Sequence, residues 1–439
     1  MRLAREDLFR LIEPLLPLVE KPSRYLDHEW GAVEEQPGPF HACLVYPDAY
    51  EVGQPNLGIS ILYDALNGAD GISCERCYLP WHDMADLMRE RHVPLLALES
   101  AAPLASFDLV GFTLAHELVA TNIMETLDLA GIPVRAADRA EDDAIVIAGG
   151  PSVWNAEPLA PMFDAILLGD GEDAIVEIAA CVRDARSVGA SRENILLALS
   201  RIQGVYVPSL YDVVVDSTST RWGYAVPKPG SGAPEVVLKR CVADFASTPA
   251  CAEHIVPYMG IVQDRLAIEV LRGCARGCRF CQAGMTYRPV RERPMDQVVE
   301  ASERGLAETG YDELSLTSLS TTDHSQCAPM LNELDERLSG RGIRVSIPSQ
   351  RLDSFGVDMA NAASGSKRGG LTFAPEAGTQ RLRDVINKNV TEEDLERAAR
   401  NAFEHGWRRV KLYFMMGLPT ETDEDILAIP AATHRVLEI

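Results

Sequence analysis

Short apolar runs alternate with helical patterns between about residues 40 and 205. In chain order they read HACLVYP, NLGISILYDALNG, VPLLALE, DLVGFTL, NIMETLDLAG, AIVIAGGP and DAILLGDG. The strand-like runs lack polar alternation and are followed by helices, which is typical of a parallel sheet covered on both faces. Residues 39–205 are therefore predicted to form a doubly wound α/β domain. Ligands of such sheets bind beyond the carboxyl ends of the strands, here in the loops PDAYEVGQPN, LAHELVATN, AGGPSVWNAEP and GDGED.

The alternation of strand and helix resumes near residue 265. Five strand-like runs follow, LAIEVLR, DELSLTS, IRVSIPS, GGLTFAPEAG and VKLYFMMGLP. A helix is expected from near Pro294 to Gly310, and Thr391 with Asp394 makes a capping box before another helix. Repeats of strand, polar loop and helix with right-handed crossovers predict a barrel, or part of one, over residues 263–439. The unusual residue clusters of this half all follow strands, at the face where such barrels carry their chemistry.

Two segments lie outside these repeats. Residues 1–38 have apolar positions at helical spacing broken by charges, which predicts an N-terminal amphipathic helical segment. Residues 206–262 are rich in Ser, Thr, Gly and Pro and are expected to be a linker with a short strand or two. No run approaches the roughly twenty apolar residues of a membrane span, so we expect a soluble, cytoplasmic protein that does not use a membrane.

Three cysteines, Cys274, Cys278 and Cys281, stand in the stretch RGCARGCRFCQAG. Their CxxxCxxC spacing, among glycines and arginines, favours an iron–sulfur cluster held by three thiolates, with one iron left open. Structural zinc needs four ligands, and the candidates for a fourth are distant: Cys251, His254 and His324. Zinc and unligated thiols remain alternatives. The CERC pair of residues 74–77 has no second pair nearby, so a structural role is favoured there.

The segment CARGCRFC resembles the CxxxCxΦC signature of the radical S-adenosylmethionine superfamily, with Phe280 at the aromatic position. The stretches CRFCQAGMTYRPVRER, FAPEAGTQRLRDVINKNVTEED and VKLYFMMGLPTETDED extend the resemblance to an uncharacterised radical family with an N-terminal cobalamin-binding-type domain. The resemblance implies a partial (β/α)6 barrel and a [4Fe-4S] cluster held by Cys274, Cys278 and Cys281. It further implies that S-adenosyl-L-methionine binds the open iron, and that an electron donor reduces the cluster so that the cofactor is cleaved to a 5′-deoxyadenosyl radical.

The same resemblance implies where S-adenosylmethionine is contacted. Phe280 would lie against the adenine, and the loops LTSLSTTD, APEAG and GLPTET would make further contacts. The candidate cofactor-binding residues are Phe280, Ser318, Ser320, Glu376 and Lys388, with loop or helix capping as the alternative role for the last four. Glu376 is favoured most, because a carboxylate at a strand exit suits an ammonium or ribose hydroxyls. Catalytic residues beyond these are not indicated.

The first predicted loop departs from the pattern of cobalamin domains that ligate cobalt. Those domains carry DxHxxG after the first strand, whereas DAYEVG here keeps Asp48 and Gly53 but has Tyr50 at the histidine position. A phenol stays protonated near neutral pH and is a poor substitute for imidazole. Cobalamin is therefore a candidate cofactor without a protein imidazole from this position. His116 could reach the same face, although a packing role is the more common one, and a scaffold without ligand is the alternative.

Three expectations concern completeness, partners and substrate. The chain ends in the helix after the fifth strand, so a barrel lacking its last strand is expected, completed by a missing segment or a partner chain. The net charge of −24 does not indicate nucleic acid as a free partner, although RNA or a ribosome-associated protein stays open as the unknown substrate. The rival to a radical enzyme is a noncatalytic chain that binds a cluster or zinc and acts through protein contacts.

Overall fold

The computed structural model describes residues 5–27, 29–33, 38–215, 223–250, 255–347, 351–356 and 371–439. The chain divides into two compact units. The first comprises Met1–Ala243 and Ile255–Asp264, and the second comprises Asp244–His254 and Arg265–Ile439.

The strands of the first unit are β1 (Phe40–Tyr46), β2 (Ile72–Tyr78), β3 (Leu109–Thr113), β4 (Ile145–Gly149), β5 (Ala165–Leu167), β6 (Val205–Tyr206), β7 (Tyr211–Val215) and β8 (Gly223–Pro227). Its helices are α1 (Arg5–Ile12), α2 (Tyr50–Gly53), α3 (Leu57–Asn67), α4 (His82–Arg91), α5 (Ala120–Ala130), α6 (Glu172–Ser187) and α7 (Arg192–Leu199). The strands of the second unit are β9 (Leu266–Glu269), β10 (Leu271–Arg272), β11 (Arg291–Glu292), β12 (Glu313–Thr317), β13 (Arg344–Ser346), β14 (Leu371–Glu376) and β15 (Val410–Phe414). Its helices are α8 (Ala283–Thr286), α9 (Met295–Thr309), α10 (Cys327–Leu338), α11 (Gln380–Val385), α12 (Glu392–Glu404) and α13 (Asp423–Glu438).

A six-stranded sheet forms the centre of the first unit. Its order is β2-β1-β3-β4-β5-β6, with β6 antiparallel to β5 and every other neighbour parallel. One apolar core, with side chains from α4 and α5, packs on one face, and a second core, with side chains from α3 and α6, packs on the other. The doubly wound prediction is confirmed. In this strand order the chain reverses direction across the sheet between β1 and β3, where such folds bind ligands.

Two assignments within the first unit differ from the sequence prediction. The run VPLLALE forms no strand, because its buried leucines pack as a loop against the core and only Leu96 makes an isolated bridge, to Pro103. The sequence pattern did not predict β2, ISCERCY. Its central Glu75 and Arg76 make the segment look polar, although every residue of the strand is buried. Both charges have partners, since Arg76 binds Glu99 and Glu75 accepts hydrogen bonds from Ser100.

Strand β2 also explains the CERC pair. Residues three apart on a strand point to opposite faces, and Cys74 lies in one core while Cys77 lies in the other. Both thiols are buried and free. The two sulfurs therefore cannot bind one ion together, and the structural role predicted for this pair follows from the strand geometry.

The segments flanking this sheet are partly ordered against it. The N-terminal helix is confirmed only over Arg5–Ile12, and two single-turn 3-10 helices follow it, at Leu16–Leu18 and Pro22–Tyr25. Within residues 206–262, β7 and β8 form an antiparallel hairpin, in agreement with the expected short strands. The part of this segment that reads STSTRW falls outside the described residues. Further on, Arg240 bridges to Gly169, so the segment is not an extended linker throughout.

All five strands predicted for the second unit are present. β13, β12 and β9 form one parallel sheet, and β14 and β15 form a parallel pair. The predicted helix is α9, which starts after Pro294 and ends at Gly310, and the Thr391 and Asp394 capping box opens α12. A single apolar core joins the strands to α9, α10 and α12. Because residues 357–370 fall between the two sheets and outside the described range, closure into a partial barrel stays a prediction.

A short segment before β9 belongs to this second unit. The ring of Phe245 is stacked under the guanidinium groups of Arg272 and Arg293, 4.9 and 4.6 Å from its centroid. Arg293 is buried and donates from Nη1 to the Thr248 carbonyl at 2.8 Å. Among the described residues, no helix combines the length and apolar character needed to cross a membrane.

Candidate functional site

The cysteine loop of the second unit is closed by a short two-stranded ladder. β10 precedes the loop and pairs antiparallel with β11, which follows it, so residues 273–290 form one excursion. Gly273 starts the loop with φ of +87°, and a side chain there would approach the Tyr287 and Pro289 carbonyl oxygens to 2.6 Å. Only glycine fits this close approach. The cysteines therefore follow the predicted strand LAIEVLR, which the structure divides into β9 and β10.

Cys274, Cys278 and Cys281 are all free and half-buried on this loop. The backbone N–H of Gly284, in α8, donates to Cys281 Sγ at 3.3 Å. Thiolates, backbone N–H donors and nearby arginines match the chemistry of an iron–sulfur site. Within the described ranges no set of three or more His, Cys, Asp or Glu side chains is arranged to hold a metal ion. The loop thus carries three thiols of the kind that bind iron–sulfur clusters, but their side chains are not arranged as a preformed metal site.

Arg276, between the first two cysteines, ties the loop to two other loops. Its guanidinium donates to Asp323, which follows β12, at 2.5 and 3.0 Å, and to Asp353 at 3.3 Å. Burial opposes ionisation of Asp323, but hydrogen bonds from Arg276 and Ser320 outweigh it and hold the pKa of this carboxyl below its ordinary value. Hydrogen bonding to Asp323 correspondingly raises the pKa of Arg276. A charge-assisted clamp from two carboxylates therefore fixes the middle of the cysteine loop.

Backbone contacts fix the rest of the cysteine loop. Arg288 donates to the carbonyl oxygens of Cys274 and Arg276, each at 3.2 Å. The Arg279 N–H donates to the Ile386 carbonyl at 2.9 Å, and Asn387 Nδ2 donates to the Gly277 carbonyl at 2.8 Å. The loop is thus attached to the segment that follows α11. These contacts hold the backbone of the loop and do not involve the side chains of the three cysteines.

Phe280, Glu376 and Lys388 come together beside the cysteine loop. Lys388 Nζ lies 2.9 Å from Glu376 Oε1 and 5.9 Å from the centroid of the Phe280 ring. Glu376 ends β14 with φ of +71°, a left-handed conformation that a side chain other than glycine's adopts at a cost. Phe280 is 40% exposed, so its ring has a free face. Three of the five predicted cofactor-binding residues therefore share one location.

Ser318 and Ser320 have partners inside their own loop. Ser318 Oγ pairs with Thr321 Oγ1 at 2.8 Å and accepts the Ser320 N–H at 3.1 Å. The Ser320 hydroxyl is buried and donates to Asp323 at 2.8 Å. These contacts favour the loop-capping alternative for both serines, and Ser320 acts on the cysteine loop through Asp323. Their role as cofactor ligands stays a prediction.

The distant candidates for a fourth metal ligand differ in their status. His324 is buried, its Nε2 pairs with the Arg293 carbonyl at 2.9 Å, and its Nδ1 accepts the Gln326 N–H at 3.0 Å. Both ring nitrogens are therefore engaged, Nδ1 at the start of α10 and Nε2 with the segment before α9. Cys251 and His254 fall outside the described residues. Arg276, Asp323 and Asp353 were missed from the sequence, although the arginine inside the cysteine motif was a signal for a carboxylate partner.

In the first unit, the loop after β1 is built around Tyr50. The Tyr50 side chain is buried, and its hydroxyl donates to the Glu29 carboxylate. Burial and the Glu29 charge raise the pKa of this phenol. Arg76 Nη2 binds the other Glu29 oxygen at 2.6 Å and its Nε binds Glu99, also at 2.6 Å. Tyr50 therefore belongs to a buried charge network and does not present its oxygen as a ligand.

The other positions of the DAYEVG loop have structural explanations. Asp48 accepts the Ala49 N–H at 2.7 Å. A side chain at Gly53 would lie 2.6 Å from the Tyr78 ring, so glycine is required by packing. His116, on the loop after β3, is exposed and not packed into the core. The preference for a packing role at His116 is therefore wrong, because its side chain is exposed and makes no part of the core.

Comparisons with known proteins agree with this architecture. Residues 58–208 match the family described as radical SAM proteins, N-terminal, and residues 268–429 match the radical SAM superfamily. An uncharacterized protein of Methanocaldococcus jannaschii is 29% identical over 399 residues, 90% of this chain and 74% of that protein. The tRNA-2-methylthio-N(6)-dimethylallyladenosine synthase of Petrotoga mobilis is 24% identical over 42% of this chain and 44% of its own length.

Two solved enzymes share the fold. The radical S-adenosylmethionine methyltransferase TsrM of Kitasatospora setae, with cobalamin and a [4Fe-4S] cluster bound, has a TM-score of 0.60 and 18% identity. The alignment covers 90% of this chain and 70% of TsrM. The cobalamin-dependent S-adenosylmethionine radical enzyme OxsB, with aqua-cobalamin and S-adenosylmethionine bound, has a TM-score of 0.58 and 15% identity, covering 89% of this chain and 51% of OxsB. At these identities the likeness shows a common mixed α/β fold.

Replacing Tyr50 with Phe is expected to lower the free energy of unfolding by about 1–3 kcal/mol, because one buried Glu29 oxygen loses its donor. Denaturant unfolding followed by circular dichroism measures the change. Tyr224→Phe is the matched control, since Tyr224 is 57% exposed on the β7–β8 hairpin. Equal stability of the two variants would contradict the role assigned to the Tyr50 hydroxyl.

Replacing Arg276 with Gln is expected to loosen the cysteine loop, because Asp323 then loses the guanidinium that it binds and Asp353 keeps only its ion pair with Arg351. The rate at which Cys274, Cys278 and Cys281 react with a disulfide reagent should rise severalfold. Arg337→Gln is the control, because Arg337 forms comparable ion pairs on an exposed helix surface. Unchanged thiol reactivity in Arg276→Gln would show that the backbone contacts alone hold the loop.

Proposed function

Because the chain belongs to the radical S-adenosylmethionine superfamily of enzymes, we propose that it cleaves S-adenosyl-L-methionine reductively to start radical chemistry on a substrate. The observation that carries this proposal is the position of Cys274, Cys278 and Cys281 on one tethered loop directly after β10 of the second unit. Their donor set fits a [4Fe-4S] cluster. Such a cluster, once bound and reduced by an external donor, would supply one electron that splits S-adenosylmethionine into methionine and a 5′-deoxyadenosyl radical.

The residues of this chain would hold the cysteine loop in place and orient S-adenosylmethionine. Arg276, clamped by Asp323 and Asp353, keeps the backbone between the thiolates in place and adds positive charge beside an anionic group. Phe280 offers an exposed ring face for the adenine of S-adenosylmethionine. Glu376 offers a carboxylate that suits an ammonium or ribose hydroxyls, and Lys388 holds it in position through their ion pair. Ser318 and Ser320 would shape the adjoining loop.

The described strands support a partial barrel for the second unit. β9, β12 and β13 are parallel neighbours in sequence order, and β14 and β15 form another parallel pair. The segments that carry the cysteines, Asp323 and Glu376 all follow or end these strands. A barrel of this kind gathers such loops at one face. This is the arrangement in which a thiolate cluster and a bound cofactor would meet a substrate.

Cobalamin assistance is a second proposal, which rests on the strand order of the first unit and on its match to the N-terminal radical SAM family. The switch point between β1 and β3 lies between the DAYEVG loop and the loop that carries His116. Tyr50 does not fit a cobalt ligand, because its hydroxyl is buried against Glu29. Cobalamin held there would lack a protein imidazole from the DAYEVG loop. A domain that serves only as a scaffold is the alternative.

The substrate proposal stays broad. The Petrotoga mobilis relative is named for a tRNA modification, and this chain matches less than half of it. A net charge of −24 does not favour a free nucleic acid. An electron donor is required in any case, because cleavage of the sulfonium consumes one electron.

Anaerobic reconstitution with iron and sulfide, followed by dithionite reduction, tests the main proposal. We expect about four irons per chain, an electron paramagnetic resonance signal that changes on addition of S-adenosylmethionine, and 5′-deoxyadenosine as product. Replacing Cys274, Cys278 or Cys281 with Ala should abolish the signal and the product. Cys181→Ala is the control, because this partly exposed thiol lies on α6 in the other unit. Full iron retention in a cysteine-loop variant, or zinc in place of iron, would overturn the assignment.

The cobalamin proposal is tested by mixing the full chain with hydroxocobalamin and removing unbound corrinoid by gel filtration. We expect retained corrinoid that, after one-electron reduction of Co(III) to Co(II) with dithionite, gives a cob(II)alamin resonance without nitrogen hyperfine splitting from a protein histidine. His116→Ala should leave this spectrum unchanged. Loss of corrinoid on the column would favour the scaffold role, and protein nitrogen coupling that disappears in His116→Ala would identify that residue as the ligand.

A further inference from the structure

The first unit contains a cavity of about 40 Å³ at the carboxyl end of β2. It lies between this strand end and the N-terminal segment that precedes β1, and Tyr50 of α2 also lines it. Its walls are mostly apolar, with Ile12, Met88 and Leu96 among them, and its polar groups come from Arg24, Tyr25 and Tyr78.

Two buried polar atoms on this cavity have no partner within the described part of the chain. They are Arg24 Nη1 and the Tyr78 hydroxyl. Arg24 is 7% exposed and Tyr78 is 8% exposed, so neither atom is solvated by bulk water. Leaving such groups unpaired is costly, and in folded proteins nearly all of them bind protein, water or a ligand. The cavity therefore offers two hydrogen-bond donors, Arg24 Nη1 and the Tyr78 hydroxyl, that lack an acceptor among the described residues.

The charge around Arg24 favours an anion. Arg24 Nε and Nη2 grip Glu51 at 2.7 to 3.0 Å, and Lys21 Nζ reaches the same carboxylate at 3.0 Å. Two cations thus share one carboxylate. Burial disfavours the charged form of Glu51, but these partners outweigh it and lower its pKa to about 2. The Glu29 carboxylate behind Tyr50 is already covered by Arg76 and by the Tyr50 hydroxyl. Arg24 and Lys21 exceed Glu51 by one positive charge, whereas Arg76 is shared by Glu29 and Glu99, so the positive excess lies on the Arg24 side of the cavity.

We infer that this cavity binds a short-chain monocarboxylate. A volume of about 40 Å³ is room for roughly three water-sized groups, taking about 10–15 Å³ for each. One carboxylate oxygen accepts hydrogen bonds from Arg24 Nη1 and the Tyr78 hydroxyl, and the short alkyl group lies against the apolar wall. The alternative occupants are two or three ordered water molecules, which would leave the cavity without affinity for a carboxylate.

Binding would also steady the N-terminal segment. Arg24 belongs to the turn at Pro22–Tyr25, and Glu51 belongs to α2, directly after Tyr50. A ligand on Arg24 therefore joins the segment before β1 to the loop after it. Because the folded state alone holds this site, ligand raises the melting temperature in a concentration-dependent way.

Saturation-transfer NMR and thermal unfolding of the full chain with acetate and with propionate test the inference. We expect saturable binding at about 1 mM or tighter and a rising melting temperature. Arg24→Gln should weaken binding at least about tenfold and Tyr78→Phe severalfold. Ala97→Leu should abolish binding without changing any charge, because Ala97 lines the cavity and the added carbons fill it. This variant also keeps the test valid if Arg24→Gln fails to fold.

Arg183→Gln and Tyr224→Phe are the matched controls, since Arg183 is partly exposed, Tyr224 is exposed and neither residue lines the cavity. Neither should change the affinity for acetate. The inference is overturned by absent saturation in the folded wild-type chain, by undiminished binding in Ala97→Leu, or by equal affinity for neutral acetamide. Any of these results would mean that the cavity holds water or binds a neutral molecule instead of a carboxylate. None of them would affect the proposed radical chemistry, which concerns the second unit.

Discussion

The ion-pair clamp on Arg276 is the interaction on which the candidate active site depends. A loop with three cysteines and several glycines has little structure of its own, since glycine permits many backbone conformations. Asp323 and Asp353 come from segments far along the chain, and together they fix the one long side chain between the first two cysteines. The backbone bonds of Arg279, Arg288 and Asn387 complete the attachment. The positions of the three cysteines therefore depend on contacts with residues outside the loop.

The first unit places charge in its interior in a similar way. Arg76 lies in a strand that is buried throughout, and Glu29 and Glu99 neutralise it from two different loops. An unpaired charge at this depth would be strongly destabilising, so the three residues depend on one another. The Tyr50 hydroxyl donates to Glu29 in this network and is therefore not available to bind a ligand beyond the end of β1. Arg24 and Glu51 form a neighbouring pair in which Arg24 Nη1 has no hydrogen-bond partner among the described residues.

The sequence was most informative where local pattern and tertiary environment agree. Five of the seven strands described for the second unit, the helix from Met295 to Thr309 and the Thr391 capping box all follow from periodicity and capping chemistry. The pattern failed at β2 and at VPLLALE, for opposite reasons. In β2 buried ion pairs make a core strand look polar, and in VPLLALE an apolar run packs as a loop. Hydrophobicity reports burial, and burial alone does not specify a strand.

By itself the sequence determined the chemistry available to this protein, because the spacing of three thiolates on one loop and the order of strands and helices are properties of the chain. Only the tertiary structure decided which polar residues meet. The pairing of Arg276 with Asp323 and Asp353, the meeting of Lys388 with Glu376 and Phe280, and the capture of Tyr50 by Glu29 each join residues from separate elements. Such pairs leave no periodic trace, since they depend on where distant loops converge after the sheets have formed.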